Sequence, residues 1–150
     1  MEAQPHNRSS FMFLIAFPLL LIPFVLYNMI AFLLNLDFST TVLNVPLLSG
    51  NKMAVSTGDM LVILSVFLLY IEILKATRMS TKAIMDHVLS MVLFMAMVIE
   101  FIAVERAATS TFLIMTALSF VDVIGGFTIT IRTAQRDVEI ERPGSVTTAG

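Results

Sequence analysis

The sequence predicts an all-α, polytopic membrane protein with four transmembrane helices in an antiparallel bundle, the first kinked by proline. Three observations lead there. Only 13% of the 150 residues are charged and 57% are hydrophobic, whereas a soluble domain is about a quarter charged because water must wet its surface. The apolar residues fall into four runs, each close to the ~20 residues that cross about 30 Å of hydrocarbon. The last three runs are separated by short polar connections, so spans two and three, and spans three and four, are expected to pack as antiparallel neighbours.

The elements follow in order. Residues 1–10 form a polar N-terminal segment and the first span covers 11–36. That run is too long for the apolar part of a cleaved signal peptide, which is roughly 7–15 residues. Pro18 and Pro23 lie within it and should kink it, since each lacks an N–H and crowds the preceding turn. Asn28 lies deeper in the same span and needs a partner there. Residues 37–57 form an exterior loop. Within it, Thr41–Val45 and Met53–Ser56 flank Ser49-Gly50-Asn51-Lys52 as in a small hairpin, although Pro46 weighs against a regular strand.

Ser56-Thr57-Gly58-Asp59 reads as a capped start with an early acid, opening span two at 58–76. Span three covers 83–104. After the turn at Glu105-Arg106, Thr109 or Ser110 caps span four at 110–131. Residues 133–150 are a polar tail. Arg8, Lys75, Arg78, Lys82, Arg132, Arg136 and Arg142 fall on one side of this arrangement, and Lys52 and Arg106 on the other. The excess of basic residues places both termini in the cytoplasm.

Composition also excludes chemistry. A net charge of −2 offers no basic field for nucleic acid. With no cysteine there is no disulfide, thiolate metal site or Cys nucleophile. His6 lies outside the spans, which leaves His87 alone and too little for a haem. No Gly-rich phosphate loop, zinc-protease helix or GxSxG turn is present. The expectation is therefore no enzyme, no metal and no cofactor.

Three motifs carry a resemblance: Gly58-Asp59-Met60 running to Glu72-Ile-Leu-Lys75-Ala-Thr-Arg78; Asp86-His87-Val-Leu-Ser90; and Phe120-Val-Asp122-Val-Ile-Gly125-Gly126 before Thr130-Ile-Arg132. Over about residues 56–137 the chain resembles a family of small, uncharacterised bacterial four-helix inner-membrane proteins. The resemblance implies a bacterial inner membrane. It brings no activity and no site residue.

Ionisable groups within a bilayer cost at least ~2.5–3.5 kcal/mol each near its centre, so each one asks for a reason. Asp122 lies mid-span on a stripe with Met115, Ser119 and Gly126, the polar and small face that helix packing in lipid uses. Packing is its default role and a proton or ion relay the sharper one; it should hydrogen-bond a serine hydroxyl or a backbone carbonyl. Glu72 can pair with Lys75 at i+3. Asp86 and His87 enter span three near the same level, where the acid suits the helix dipole and the imidazole can reach Glu72. Glu100, at the exterior end of span three, can pair with Arg106. Gly125 and Gly126 permit close backbone approach.

Two functions follow from these residues. The first is a non-catalytic accessory or scaffold subunit of a larger inner-membrane complex, docked through the first helix. The second is a small oligomeric transporter or channel that moves protons or ions through the intramembrane acids.

Overall fold

The computed structural model describes residues 17–77 and 82–140. The expected N-terminal segment, the start of the first span, Arg78 and the end of the tail lie outside the described residues. Helix α1 spans Leu21–Asn28 and runs on as a π-helical stretch, Met29–Leu34. Strands β1 (Thr41–Pro46) and β2 (Lys52–Ser56) follow, then α2 (Thr57–Ala76), α3 (Lys82–Ala103), a 3-10 turn at Glu105–Ala107, and α4 (Ser110–Ile140). Three helical stretches, Thr57–Ala76, Met85–Ala103 and Ser110–Ile129, are long and apolar enough to cross a membrane. They mark the chain as a membrane protein.

The distribution of side chains is that of a protein whose solvent is lipid. Ser65, Glu72, Ser90, Ser119 and Asp122 are buried, while Ile63, Phe67, Val92, Ile99, Phe120 and Ile124 are exposed. Hydrocarbon welcomes apolar side chains and offers polar ones no partner, so polarity moves inward.

Helix α4 is the centre of the packing. It lies against both α2 and α3, whereas among the described residues α2 and α3 make little contact with each other. This corrects the expectation that α2 and α3 are packed neighbours. A short connection fixes where helices start, not which faces meet. The face of α4 decides the rest, because it carries small and short polar residues, Thr111, Thr116 and Ser119, that are buried and let both neighbours approach. Gly58 of α2 has no room for a Cβ, which would meet the Thr111 side chain and come within 3.2 Å of the Phe38 carbonyl oxygen. On the other side, the Phe94 and Phe120 rings lie 5.5 Å apart. Helices α2 and α4 start at the same end of the molecule, and α3 runs against them.

The described part of helix α1 begins at Leu21. Pro18 stands in the turn before it, where the Leu21 amide donates to the Pro18 carbonyl at 3.1 Å. Pro23 falls in its first turn, where an amide has no intrahelical acceptor in any case. The π-helical stretch ends on Asn35 in the left-handed region, with φ 49°. Tyr27 locks α1 to the end of the bundle where α2 and α4 start. Its ring stacks on Phe38 with centroids 4.2 Å apart and tilts against Phe112 at 4.7 Å. Its hydroxyl lies 2.9 Å from the Arg106 carbonyl oxygen and 2.7 Å from Thr109 Oγ1.

The 37–57 loop does hold the small antiparallel hairpin, with Asn44 opposite Ala54 and Pro46 opposite Lys52, so the fold is not purely α. Pro46 is tolerated because it is the last residue of a strand in a two-stranded sheet. Gly50 takes a φ of +84° in the turn, which a side chain would resist. Before the hairpin, exposed Asp37 accepts from the Ser39 amide at 2.9 Å. That bond, with a second from the Ser39 side chain, holds its carboxyl below the usual carboxylate range. Ser56 and Asp59 cap α2 reciprocally: the Asp59 amide donates to Ser56 Oγ at 3.1 Å, and the Ser56 amide to Asp59 Oδ2 at 2.8 Å. At the far end α4 continues to Ile140, through part of what the sequence reads as polar tail. Ala134, Gln135, Arg136 and Glu139 are strong helix formers. A helix of 31 residues is ~46 Å long, longer than the about 30 Å of hydrocarbon that a span has to cross.

Candidate functional site

The C-terminal end of α2, the N-terminal end of α3 and the middle of α4 surround a cavity of about 30 Å³ lined by Glu72, Lys75, Ala76, Asp86, His87, Ser90, Asp122 and Gly126. That volume suits a water molecule or two. Four of the five ionisable residues singled out in the sequence meet here. Their convergence follows from helix polarity: Glu72 is one turn from the end of α2, Asp86 and His87 are one turn into α3, and Asp122 faces both from α4.

Glu72 has the most partners. Its Oε2 accepts from the Leu19 amide at 2.7 Å and its Oε1 from Lys75 Nζ at 3.2 Å, the i+3 ion pair expected from the spacing. Lys75 Nζ also donates to the Phe17 carbonyl oxygen at 3.1 Å. The pair therefore holds the entry to α1, and the buried carboxylate supplies the acceptor that this early amide lacks within its own helix. Asp122 is buried and hydrogen-bonded with the Ser90 side chain, the serine partner that its stripe calls for.

His87 does not bond Glu72. Its ring stands edge-on to Phe127, with centroids 5.1 Å apart, and Gly126 makes room for it: a Cβ there would come within 2.6 Å of Nδ1. Gly126 is thus a close-approach glycine, as expected. Gly125 is not, since a Cβ there would meet open space. Among the described residues, Asp86 Oδ1 and His87 Nε2 are buried without a hydrogen-bonding partner.

Glu100 lies apart, at the other end of α3. It does not pair with Arg106. Its Oε2 accepts from Asn28 Nδ2 at 3.4 Å, which gives Asn28 the partner that the first span requires. Arg106 turns instead to the end of α1, where Nη1 donates to the Ala31 carbonyl oxygen at 2.6 Å and to Asn35 Oδ1. Its guanidinium lies 5.6 Å from the Phe32 ring centroid. Carbonyls ending a helix attract a cation, and here they outcompete the acid.

The sequence gives little sign of two of these features. Tyr27 reads only as an interfacial aromatic, and the bond from Leu19 to Glu72 depends on backbone that no side-chain pattern reports. No group of three or more His, Asp or Glu residues suited to a metal ion occurs among the described residues. Comparison with known proteins finds no matching family model, no matching curated protein and no matching solved structure.

Proposed function

We propose that this chain is a non-enzymatic, multi-pass protein of the bacterial inner membrane that takes up and passes on a proton or small cation at the α2–α3–α4 cavity. It works beside a partner membrane protein or a second copy of itself. One observation carries the reading: three acids and a histidine from three helices converge on one cavity, and Asp86 Oδ1 and His87 Nε2 are buried there without hydrogen bonds among the described residues. A cluster kept only for packing has reason to pair its polar side chains with one another, whereas these line a cavity of water size. Acids within a membrane that line a cavity fit proton or ion handling better than packing.

The partner follows from what lies beyond the cavity. Towards the exterior the core narrows to Leu69, Leu93, Met97 and Met115, all buried. Passing a proton onward through that layer requires helix movement or groups from another chain. The accessory and transport readings meet here, since an accessory subunit can owe its role to such a site.

Four crossings with both ends cytoplasmic belong to the same proposal. Helix α1 runs from the level of Glu72 to the level of Arg106, and in the sequence the apolar run that contains it begins at Phe11. Single cysteines replacing Lys52 and Arg78 should then react with an impermeant maleimide from opposite sides of the membrane. Reaction from the same side would refute the topology.

The proton reading is tested with protein purified in mild detergent, together with whatever stays bound, and reconstituted into liposomes that trap a pH-sensitive dye. An imposed potassium diffusion potential should drive proton flux well above that of protein-free liposomes. Asp122→Asn keeps the shape and the contact with Ser90 but removes titration. It should show an unchanged thermal midpoint and lose the flux. Wild-type flux in this variant would overturn the proton reading. A silent wild-type preparation bound stoichiometrically to a larger complex would return the function to scaffolding.

A further inference from the structure

Glu100 takes no part in the cavity, and its surroundings have no bland explanation. It lies on the same helix as Asp86 and His87, ~21 Å away at the helical rise of ~1.5 Å per residue. A membrane acid at a helix end is ordinarily explained by a nearby cation. Arg106 is near enough in sequence but is committed to Ala31 and Asn35. Glu100 Oε1 is buried with no hydrogen-bonding partner among the described residues. Its other oxygen faces the Asn28 amide, which also donates to the Phe24 carbonyl oxygen at 3.1 Å and so presents a fixed donor. Beside them, the Tyr27 hydroxyl meets Thr109 Oγ1 at 2.7 Å and the Arg106 carbonyl oxygen at 2.9 Å. These groups lead out to the exposed 3-10 turn that holds Arg106.

We infer that Glu100, oriented by Asn28 and adjoining the Tyr27–Thr109 hydroxyl pair, is a second proton-exchange site at the opposite end of the bundle from the cavity. The inference rests on the reading of the cavity as a proton site and gives that site an outward counterpart. The step is a simple one. A proton from water adds to Oε1 and leaves to water again; the carboxylate becomes a carboxylic acid and back, with no change in its hydrogen bond from Asn28. The ionisable groups described at this end of the bundle include Tyr27 on α1, Glu105 and Arg106 in the turn, and Asp59 at the start of α2, which is exposed and bonded to Ser56. Helix α4 brings only hydroxyls to this end. Between the two sites, Ser119 Oγ is buried and without a hydrogen-bonding partner among the described residues. It lies one turn from Asp122, among Leu93, Met97 and Met115. The two sites are therefore separate stations with an apolar layer between them, not one continuous wire.

Dicyclohexylcarbodiimide tests this, because it adds to protonated carboxyl groups in apolar surroundings and leaves a stable acylurea that peptide mass spectrometry can locate. With the full chain in lipid nanodiscs, adducts are expected at Glu100 and at a cavity acid, both declining as pH rises. Glu100→Gln keeps an acceptor for Asn28. It should keep the thermal midpoint and the cavity adduct, yet bring liposome proton flux down to that of protein-free vesicles. Full flux in Glu100→Gln, or a cavity adduct with Glu100 unlabelled at every pH, overturns the second site and leaves the cavity reading standing. Absence of both adducts overturns both.

Discussion

Tyr27→Ala is expected to lower stability by about 3–5 kcal/mol, the range for truncating a large buried aromatic, and to release α1 from the end of the bundle where α2 and α4 start. Tyr27 is fully buried and belongs to a cluster with Phe38 and Phe112, so truncation opens a cavity between three elements at once. It also leaves the Arg106 carbonyl and the Thr109 hydroxyl without their phenol. Lipid weakens the hydrophobic part of this cost but not the packing part, since helix association in a bilayer rests on close contact. Tyr27→Phe keeps the ring and loses only the hydroxyl, so it should cost about 1 kcal/mol. Thermal unfolding in detergent, followed by far-ultraviolet circular dichroism, checks both. Equal midpoints for the Ala and Phe variants would show that the stacked ring does not hold α1.

Glu72→Leu is the second large effect, with an expected loss of about 3–5 kcal/mol, the range for removing one partner of a buried ion pair. The loss sits towards the lower end because the Lys75 side chain keeps 19% of its surface exposed, so water recovers part of the orphaned charge. Leucine fills the volume but offers no acceptor to the Leu19 amide. Glu72→Gln keeps an acceptor for Leu19 and gives up the charge that faces Lys75, so it should recover most of the stability. The same melting assay decides the order. A Leu variant as stable as the Gln variant would mean that Glu72 holds neither Lys75 nor the entry to α1.

Much of this arrangement is legible in the sequence. Spans two to four can be read because apolar runs of membrane length are hard to mistake, and the Ser56–Asp59 cap because a hydroxyl followed three residues later by an acid has one common meaning. The inward faces of Glu72, Ser90 and Asp122 follow from cost alone. What escapes the sequence is pairing. The short connection between α2 and α3 suggests direct neighbours, and only the small-residue face of α4 shows why both lean on it instead. Arg106 could satisfy Glu100 or the end of α1. A carboxylate and a row of carbonyls compete closely, and the backbone geometry that settles the contest leaves no mark on residue order. Pro18 reads as a kink in a helix whose described part begins only after it.

The central place of α4 bears on how the chain is built during synthesis. When α2 and α3 enter the bilayer, neither has yet met the surface on which both will rest. Ser90 then faces lipid or solvent without Asp122, and Glu72 has only Lys75 and the backbone before α1. With α4 absent, the α2–α3 hairpin is expected to be held by little more than its ends, so most of the packing is expected to form only once α4 joins. A substitution on the α4 face should accordingly lower the amount of protein in the membrane more than it lowers the stability of the molecules that complete the bundle.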